Sequence, residues 1–347
     1  MRQITYALKS SKAATVVALG TIGIYALTQF GDHPSHYAEA KLADTPLGAL
    51  TSAPIDEGKF DVAAIPVPAP RPGDLPSVKQ PDQLTVTRVM SGLENVSFHL
   101  PAIRSGSEVP RYFVPELPVD ILDVNKVTTR KKLFISVVLP LILNTNEKIL
   151  EDRKILKNMI KLRDQGKSWS SEQLAWLDDL AKKYKGSVSD LNDLLARVDI
   201  IPVSLALAQS IEESGWGTSR FAREGNALFG QRVWSEGKGI VPHERADGED
   251  YEVRSFERLA KSVSSYALNL NRHGAYDAFR DARSRLRSVG MIPNGYALAA
   301  SLLSYSERGE DYVEALRMLM RSNDLGQYDT AKLAPKQVAQ SERLSSN

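Results

Sequence analysis

The chain has 347 residues, a formal net charge of +2, 42% hydrophobic residues and 25% charged residues. That length allows one or two domains with proper cores, and the composition excludes wholesale disorder. Acids and bases are interspersed rather than gathered into the basic stripe of a nucleic-acid binder. The absence of cysteine excludes disulfides and thiolate metal sites.

At the N-terminus, Arg2, Lys9 and Lys12 precede an uncharged apolar run over 13–30. As a helix this run spans roughly 27 Å, enough for a bilayer core. The charge asymmetry leaves residues 1–12 in the cytoplasm and exports the chain beyond the run. Two readings fit the run, a transmembrane anchor and a signal peptide cleaved after Ala38-Glu39-Ala40. The anchor is preferred, because the run is long for a signal and the A-x-A site lies well beyond it. Residues 31–115 read as a tether. Six prolines between Pro66 and Pro81 favour extended polyproline II, and only a short strand or two is expected, near 86–96.

A helical lead-in is expected over 116–198. Val127, Phe134, Val137 and Val138 mark a helix over 124–139 that Pro140 should kink or end. A second helix follows over 142–163. An S-x-x-Q capping box at Ser170 and Gln173 opens a third, and 188–198 gives a shorter one. Over 199–325 the pattern changes. Pro202 starts a helix over 203–214, followed by the glycine- and aromatic-rich SGWGTSRFAREGNALFGQ. Asp247-Gly248 between alternating segments predicts a hairpin of strands over 239–245 and 251–255. Helices resume over 259–272, 276–287, 296–304 and 311–321, and 326–347 reads as a polar, frayed tail.

Several chemistries can be set aside. There is no Walker phosphate loop, no strand-linked G-x-G-x-x-G and no G-x-S-x-G elbow. His243-Glu244 opens like a zincin motif, but Asp247 stands where its second histidine belongs. The five histidines have no metal-ligand spacing, so no metal or cofactor is expected. Carboxylate chemistry remains. Glu212 and Glu213 end the helix over 203–214, where the negative pole of the helix and partial burial by Trp216 raise a carboxyl pKa. Glycoside hydrolysis needs such a carboxyl to protonate its leaving oxygen. Helical neighbours point about 100° apart, so one of the pair faces a given cleft, and Glu213 lies one turn after Gln209 on the polar side. Local pattern alone leaves open that both are solvated surface acids.

The stretch AQSIEESGWGTSRFAREGNALFG resembles the signature of glucosaminidase-type peptidoglycan hydrolases, A-Q-x-x-x-E-S-G-W-G-x-S followed by N-L-F-G. It stands as Ala208, Gln209, Glu213, Ser214, Gly215, Trp216, Gly217 and Ser219, then Asn226, Leu228, Phe229 and Gly230, with Ala227 inserted. LPLILNTNEKILEDRKIL, LNRHGAYDAFRDAR and LSYSERGEDYVEALRMLM are similar to the Bax-type glucosaminidase-domain proteins of Gram-negative bacteria. The likeness spans about residues 117–322. It implies Glu213, rather than Glu212, as catalytic acid. It also implies a second carboxylate on a strand that reads T-T-T-E in relatives. Glu244 holds that position, although Val241, Pro242 and His243 precede it, and Asp247, Glu249 or Asp250 are alternatives. Tyr305 and Tyr312 resemble the relatives' Y-A-T-D-x-x-Y, whose first tyrosine lines the active site. Gln209, Asn226, Phe229, Gln231 and Tyr312 are candidates for sugar contacts. Trp216 is equally a sugar platform or a core residue.

The resemblance implies a mainly α, lysozyme-like fold with a small β-hairpin lobe, preceded by the helical region. The expected partner is the glycan strand of peptidoglycan. The expected location is the inner membrane, with the catalytic domain in the periplasm. The expected reaction is hydrolysis of the β-1,4 bond after N-acetylglucosamine. A lytic transglycosylase using one glutamate, and a murein-binding protein without turnover, are the alternatives. Nothing in the sequence sets the oligomeric state.

Overall fold

The computed structural model describes residues 83–234, 237–242 and 250–336. The apolar run over 13–30, the prolines of 66–81, Glu244, Asp247, Glu249 and the tail beyond 336 lie outside the described residues.

The first described segment corrects the expected tether. Helices α1 (Val86–Asn95) and α2 (Leu100–Arg104) occupy 83–115 in place of strand or spacer. Thr85 caps α1 by accepting from the Arg88 N–H. Val89, Leu93, Phe98, Ile103, Val109 and Val114 are buried in the main core. The apolar positions of α1 repeat at i and i+4, a pattern too short to stand out in sequence but sufficient once a neighbour covers it.

Helix α3 runs unbroken over Val127–Asp164 with Pro140 inside it, which corrects the expected break. Both flanking turns are buried, from Leu133 to Leu143. The packing of that stretch outweighs the one backbone hydrogen bond that proline removes. The helix is long and apolar enough to cross a membrane, yet its most apolar stretch is 78% buried within the fold. Helix α4 (Ser171–Tyr184) carries the expected capping box at Ser170 and Gln173, and α5 (Leu191–Arg197) follows.

Helix α6 (Val203–Ser214) is buried on all sides from Val203 to Ile211, as befits a central helix. It packs against α3 and against the last helices of the chain. Helix α7 (Arg220–Gly225) leads into a three-stranded antiparallel sheet of β1 (Arg232–Val233), β2 (Gly239–Ile240) and β3 (Glu252–Arg254). The order is β1-β3-β2, with Ile240 and Val233 opposite Val253 and Glu252 respectively. The hairpin of β2 and β3 matches the sequence reading, and β1 is an addition to it. Helices α8 (Leu259–Arg272), α9 (Asp277–Ser288), α10 (Gly295–Leu298) and α11 (Glu310–Ser322) close the fold. The mainly α architecture with a small β lobe is as expected.

The frayed tail is corrected as far as residue 336. Leu325 and Tyr328 are fully buried, Val109 bridges to Leu333, and the Asp329 carboxylate accepts from the Ser204 N–H at 2.8 Å and its hydroxyl at 2.7 Å. These are pairings over more than 100 residues of chain, which local polarity does not reveal.

Candidate active site

The SGWG turn places Glu213. Gly215 ends α6 at φ +57, and Trp216 and Gly217 follow at +60 and +80. Three successive left-handed residues reverse the chain, a conformation that glycine adopts without strain. A Cβ on Gly217 would stand 3.1 Å from Leu117 and from Phe134. The Ser214 hydroxyl donates back to the Ser210 carbonyl and accepts from the Gly217 N–H at 3.0 Å. Ser219 caps α7. The small polar and glycine positions of the motif thus build the turn, and Glu213 is left at the last turn of α6 with its side chain partly exposed.

A single-file hydrogen-bond chain ends on that carboxyl. The Tyr266 hydroxyl donates to Gln209 Oε1 at 2.6 Å, Gln209 Nε2 donates to the Tyr312 hydroxyl at 3.0 Å, and Tyr312 donates to Glu213 Oε1 at 3.0 Å. The directions are fixed by chemistry: an amide oxygen only accepts and its NH₂ only donates, so the single Tyr312 proton points at Glu213. Tyr305 stacks on Tyr312 with centroids 5.5 Å apart and lies 5.8 Å from Tyr276. Burial first, and then the charge of Glu213, pushes the hydroxyls of Tyr312 and Tyr305 well above the usual tyrosine range, so both remain neutral. On its other side, Glu213 Oε2 faces Gly230, where a Cβ would come within 3.4 Å.

Burial pushes the Glu213 carboxyl up to about 7, offset in part by the Tyr312 hydrogen bond and by Arg308, and reinforced by Glu212. Glu212 itself pairs with Arg308 at 2.6 Å. Adjacent glutamates on one helix are therefore set apart: one is paired with a guanidinium, the other holds a proton near neutrality beside a hydroxyl.

The expected site residues divide. Glu213, Tyr305 and Tyr312 come together, beside Gly230. Gln209 and Tyr312 are 0% and 1% exposed, which corrects their assignment as sugar contacts, since both act beneath Glu213. Phe229 is also corrected: it is 2% exposed and stacks on Tyr266 at 3.8 Å. Trp216 is half-buried and turns its edge to Phe134, with Lys131 over its ring. Asn226 donates to the Phe256 carbonyl. Its Oδ1, like Gln231 Oε1, is buried without a donor among the described residues. The sequence reading missed Tyr266, Tyr276 and Arg308. A tyrosine on the buried face of α8 was the available signal for the first, because a buried hydroxyl needs a partner. No group of acids or histidines among the described residues has metal-site geometry.

The chain belongs to the glucosaminidase family and is by that membership a glycoside hydrolase. The family model, described as mannosyl-glycoprotein endo-beta-N-acetylglucosaminidase, matches residues 188–325. Over 202 residues the chain is 38% identical to Protein bax of Escherichia coli (strain K12), covering 56% of this chain and 70% of that one. It is also similar to the catalytic domain of the autolysin Auto from Listeria monocytogenes, at 21% identity and a TM-score of 0.30, over 48% of this chain and 96% of the other.

Proposed function

We propose that this chain hydrolyses the β-1,4 bond after N-acetylglucosamine in peptidoglycan, with Glu213 as the general acid. The observation that supports this most is the state of Glu213. It is protonated up to about pH 7, Oε1 is held by Tyr312, and Oε2 lies toward Gly230. A general acid works best with a pKa near the operating pH. With Oε1 accepting from Tyr312, the transferable proton resides on Oε2, and it passes to the glycosidic oxygen as the C–O bond breaks. Glu244, on the connection between β2 and β3, is proposed to assist the attacking water or stabilise the oxocarbenium charge. Tyr305 borders the acid, whereas the side-chain oxygens of Asn226 and Gln231 are buried and are not assigned to the sugar. Gln209 and Tyr266 serve as positioning residues through Tyr312. The apolar run over 13–30 supports an inner-membrane anchor, with the catalytic domain in the periplasm and the glycan strand as partner.

The test is Glu213→Gln assayed on purified sacculi. Loss of reducing-end release with the fold intact is expected, and wild-type release would overturn the assignment. Mass spectrometry of wild-type products separates hydrolysis, which adds water, from lytic transglycosylation, which leaves an anhydro sugar. Binding of murein fragments with no product would favour the non-catalytic alternative.

A further inference from the structure

A second concentration of charge lies away from Glu213, where α3 and α9 meet the loop after α5. Asp199, 2% exposed, is surrounded by three guanidiniums. Arg287 binds it with Nε at 3.1 Å and Nη2 at 2.9 Å, Arg153 approaches at 3.5 Å, and Arg283 donates to its backbone carbonyl at 3.1 Å. Nearby acids are committed elsewhere. Glu151 binds Lys336 at 3.0 Å, Asp152 binds Lys183 at 2.8 Å, Asp193 binds Arg197 at 2.6 Å, and Asp277 binds Arg280. One carboxylate thus faces three cations. Burial pulls Arg283 down to about 10, opposed by Asp199 and aided by the neighbouring arginines, and burial lowers Arg153, again opposed by Asp199 and aided by Arg287.

This excess charge opens to solvent. A concavity of about 330 Å³ is lined by Leu150, Arg153, Lys154, Lys157, Asn158 and Arg287. Lys154 and Lys157 are exposed and form no ion pair among the described residues. They follow Leu150 at helical spacing, on the same side of α3 as Arg153. Arg287 commits Nε and Nη2 to Asp199, which leaves Nη1 for another acceptor. The cations converge on one hollow instead of forming a stripe, so the site suits a compact, multiply charged oxyanion better than an extended polyanion. Guanidinium and ammonium donors together match phosphate, and the exposed Leu150 edge admits a short aliphatic substituent.

We propose that this hollow is a binding site for a phosphate group, either free or at the headgroup of a lipid, and that its occupation offsets the charge excess around Asp199. Ligand binding then stabilises the folded chain by mass action. The full-length protein in neutral detergent is titrated with inorganic phosphate, and the melting temperature is compared with that in chloride at equal ionic strength. A saturable excess rise in phosphate is expected. Lys154→Ala/Lys157→Ala should keep the ligand-free melting temperature and sacculus digestion but bind phosphate about tenfold more weakly. Phosphate also stabilises proteins by exclusion from their surfaces, and the double variant serves as the reference for that effect. No saturable excess in the wild type, or an identical excess in the variant, overturns the proposal. Glycerophosphoglycerol is the second probe. Competition with phosphate identifies a lipid-headgroup diester as the ligand chemistry, and its failure to compete identifies free phosphate; both outcomes support the site.

Discussion

Two largely buried carboxyls bracket the central helix α6, Asp199 just before its start and Glu213 in its last turn, and the fold treats them in opposite ways. Burial raises the pKa of each. At Asp199 the bidentate Arg287 and the charges of Arg283 and Arg153 more than offset burial, and the group ends below the usual carboxylate range. At Glu213 the direct partner is a neutral hydroxyl, and the group ends near 7. A hydroxyl orients a carboxyl while leaving its proton available; guanidiniums remove the proton and fix the charge. The first arrangement suits an acid that must donate, and the second suits a staple between helices.

The largest expected effect comes from removing the proton. Glu213→Gln should lower turnover on sacculi about a thousandfold. It should also stabilise the fold in alkali. Glu213 has its folded pKa raised from 4.5 to about 7, so the folded state holds the proton more tightly and loses stability as pH rises between those values. The variant escapes that loss. It should gain on the order of 2 kcal/mol above pH 7, allowing for solvent access, and nothing below about pH 4.5. Melting curves across pH measure this directly. At the other carboxyl, Asp199→Asn leaves three guanidiniums facing a neutral amide and should cost about 3–5 kcal/mol in urea unfolding at neutral pH. The sign in acid is reversed. The stability from Asp199 is present above the unfolded aspartate pKa and is lost as pH falls through its depressed folded pKa, so the deficit of the variant should shrink there. Matching pH dependences for the two variants would break the contrast.

The two sites also differ in how far sequence reveals them. Glu213 was legible through its flanks, because Ser-Gly-Trp-Gly is a turn with steric demands that few residues meet. Gln209 was misread because helical spacing reports direction and not depth. One turn before Glu213 it does point to the same side, but Tyr266 and Tyr312 close over it from α8 and α11. Phe229 failed likewise, its ring covered by Tyr266. The arginine cluster was invisible, since Arg280, Arg283 and Arg287 at i, i+3 and i+7 look like a solvated face. The packing of α9 against α5 and the end of α8 turns Arg280 and Arg283 inward. The helices over 83–115 and the segment over 325–336 were missed for a shared reason: each is stabilised by the other or by Ser204, across a long stretch of chain.

A smaller effect tests the far side of the acid. Gly230→Ala places a methyl within 3.4 Å of Glu213 Oε2 at φ +56. The backbone strain should cost about 1–2 kcal/mol. The added desolvation should shift the alkaline limb of kcat/KM upward, while the low-pH behaviour governed by Asp199 stays unchanged.

The smallest and most diagnostic change is Tyr312→Phe. The Tyr312 hydrogen bond stabilises the ionised form of Glu213 and holds its pKa down. Without it the carboxyl should titrate higher, so the alkaline limb of kcat/KM moves to higher pH by a fraction of a unit even as turnover falls. Gln209 Nε2 then loses its buried acceptor, which should lower stability by about 1–2 kcal/mol. A tyrosine that merely filled space would lower stability and leave the limb in place. Movement of the limb therefore separates orientation of the acid from packing, and a fixed limb would show that Glu213 is tuned by burial alone.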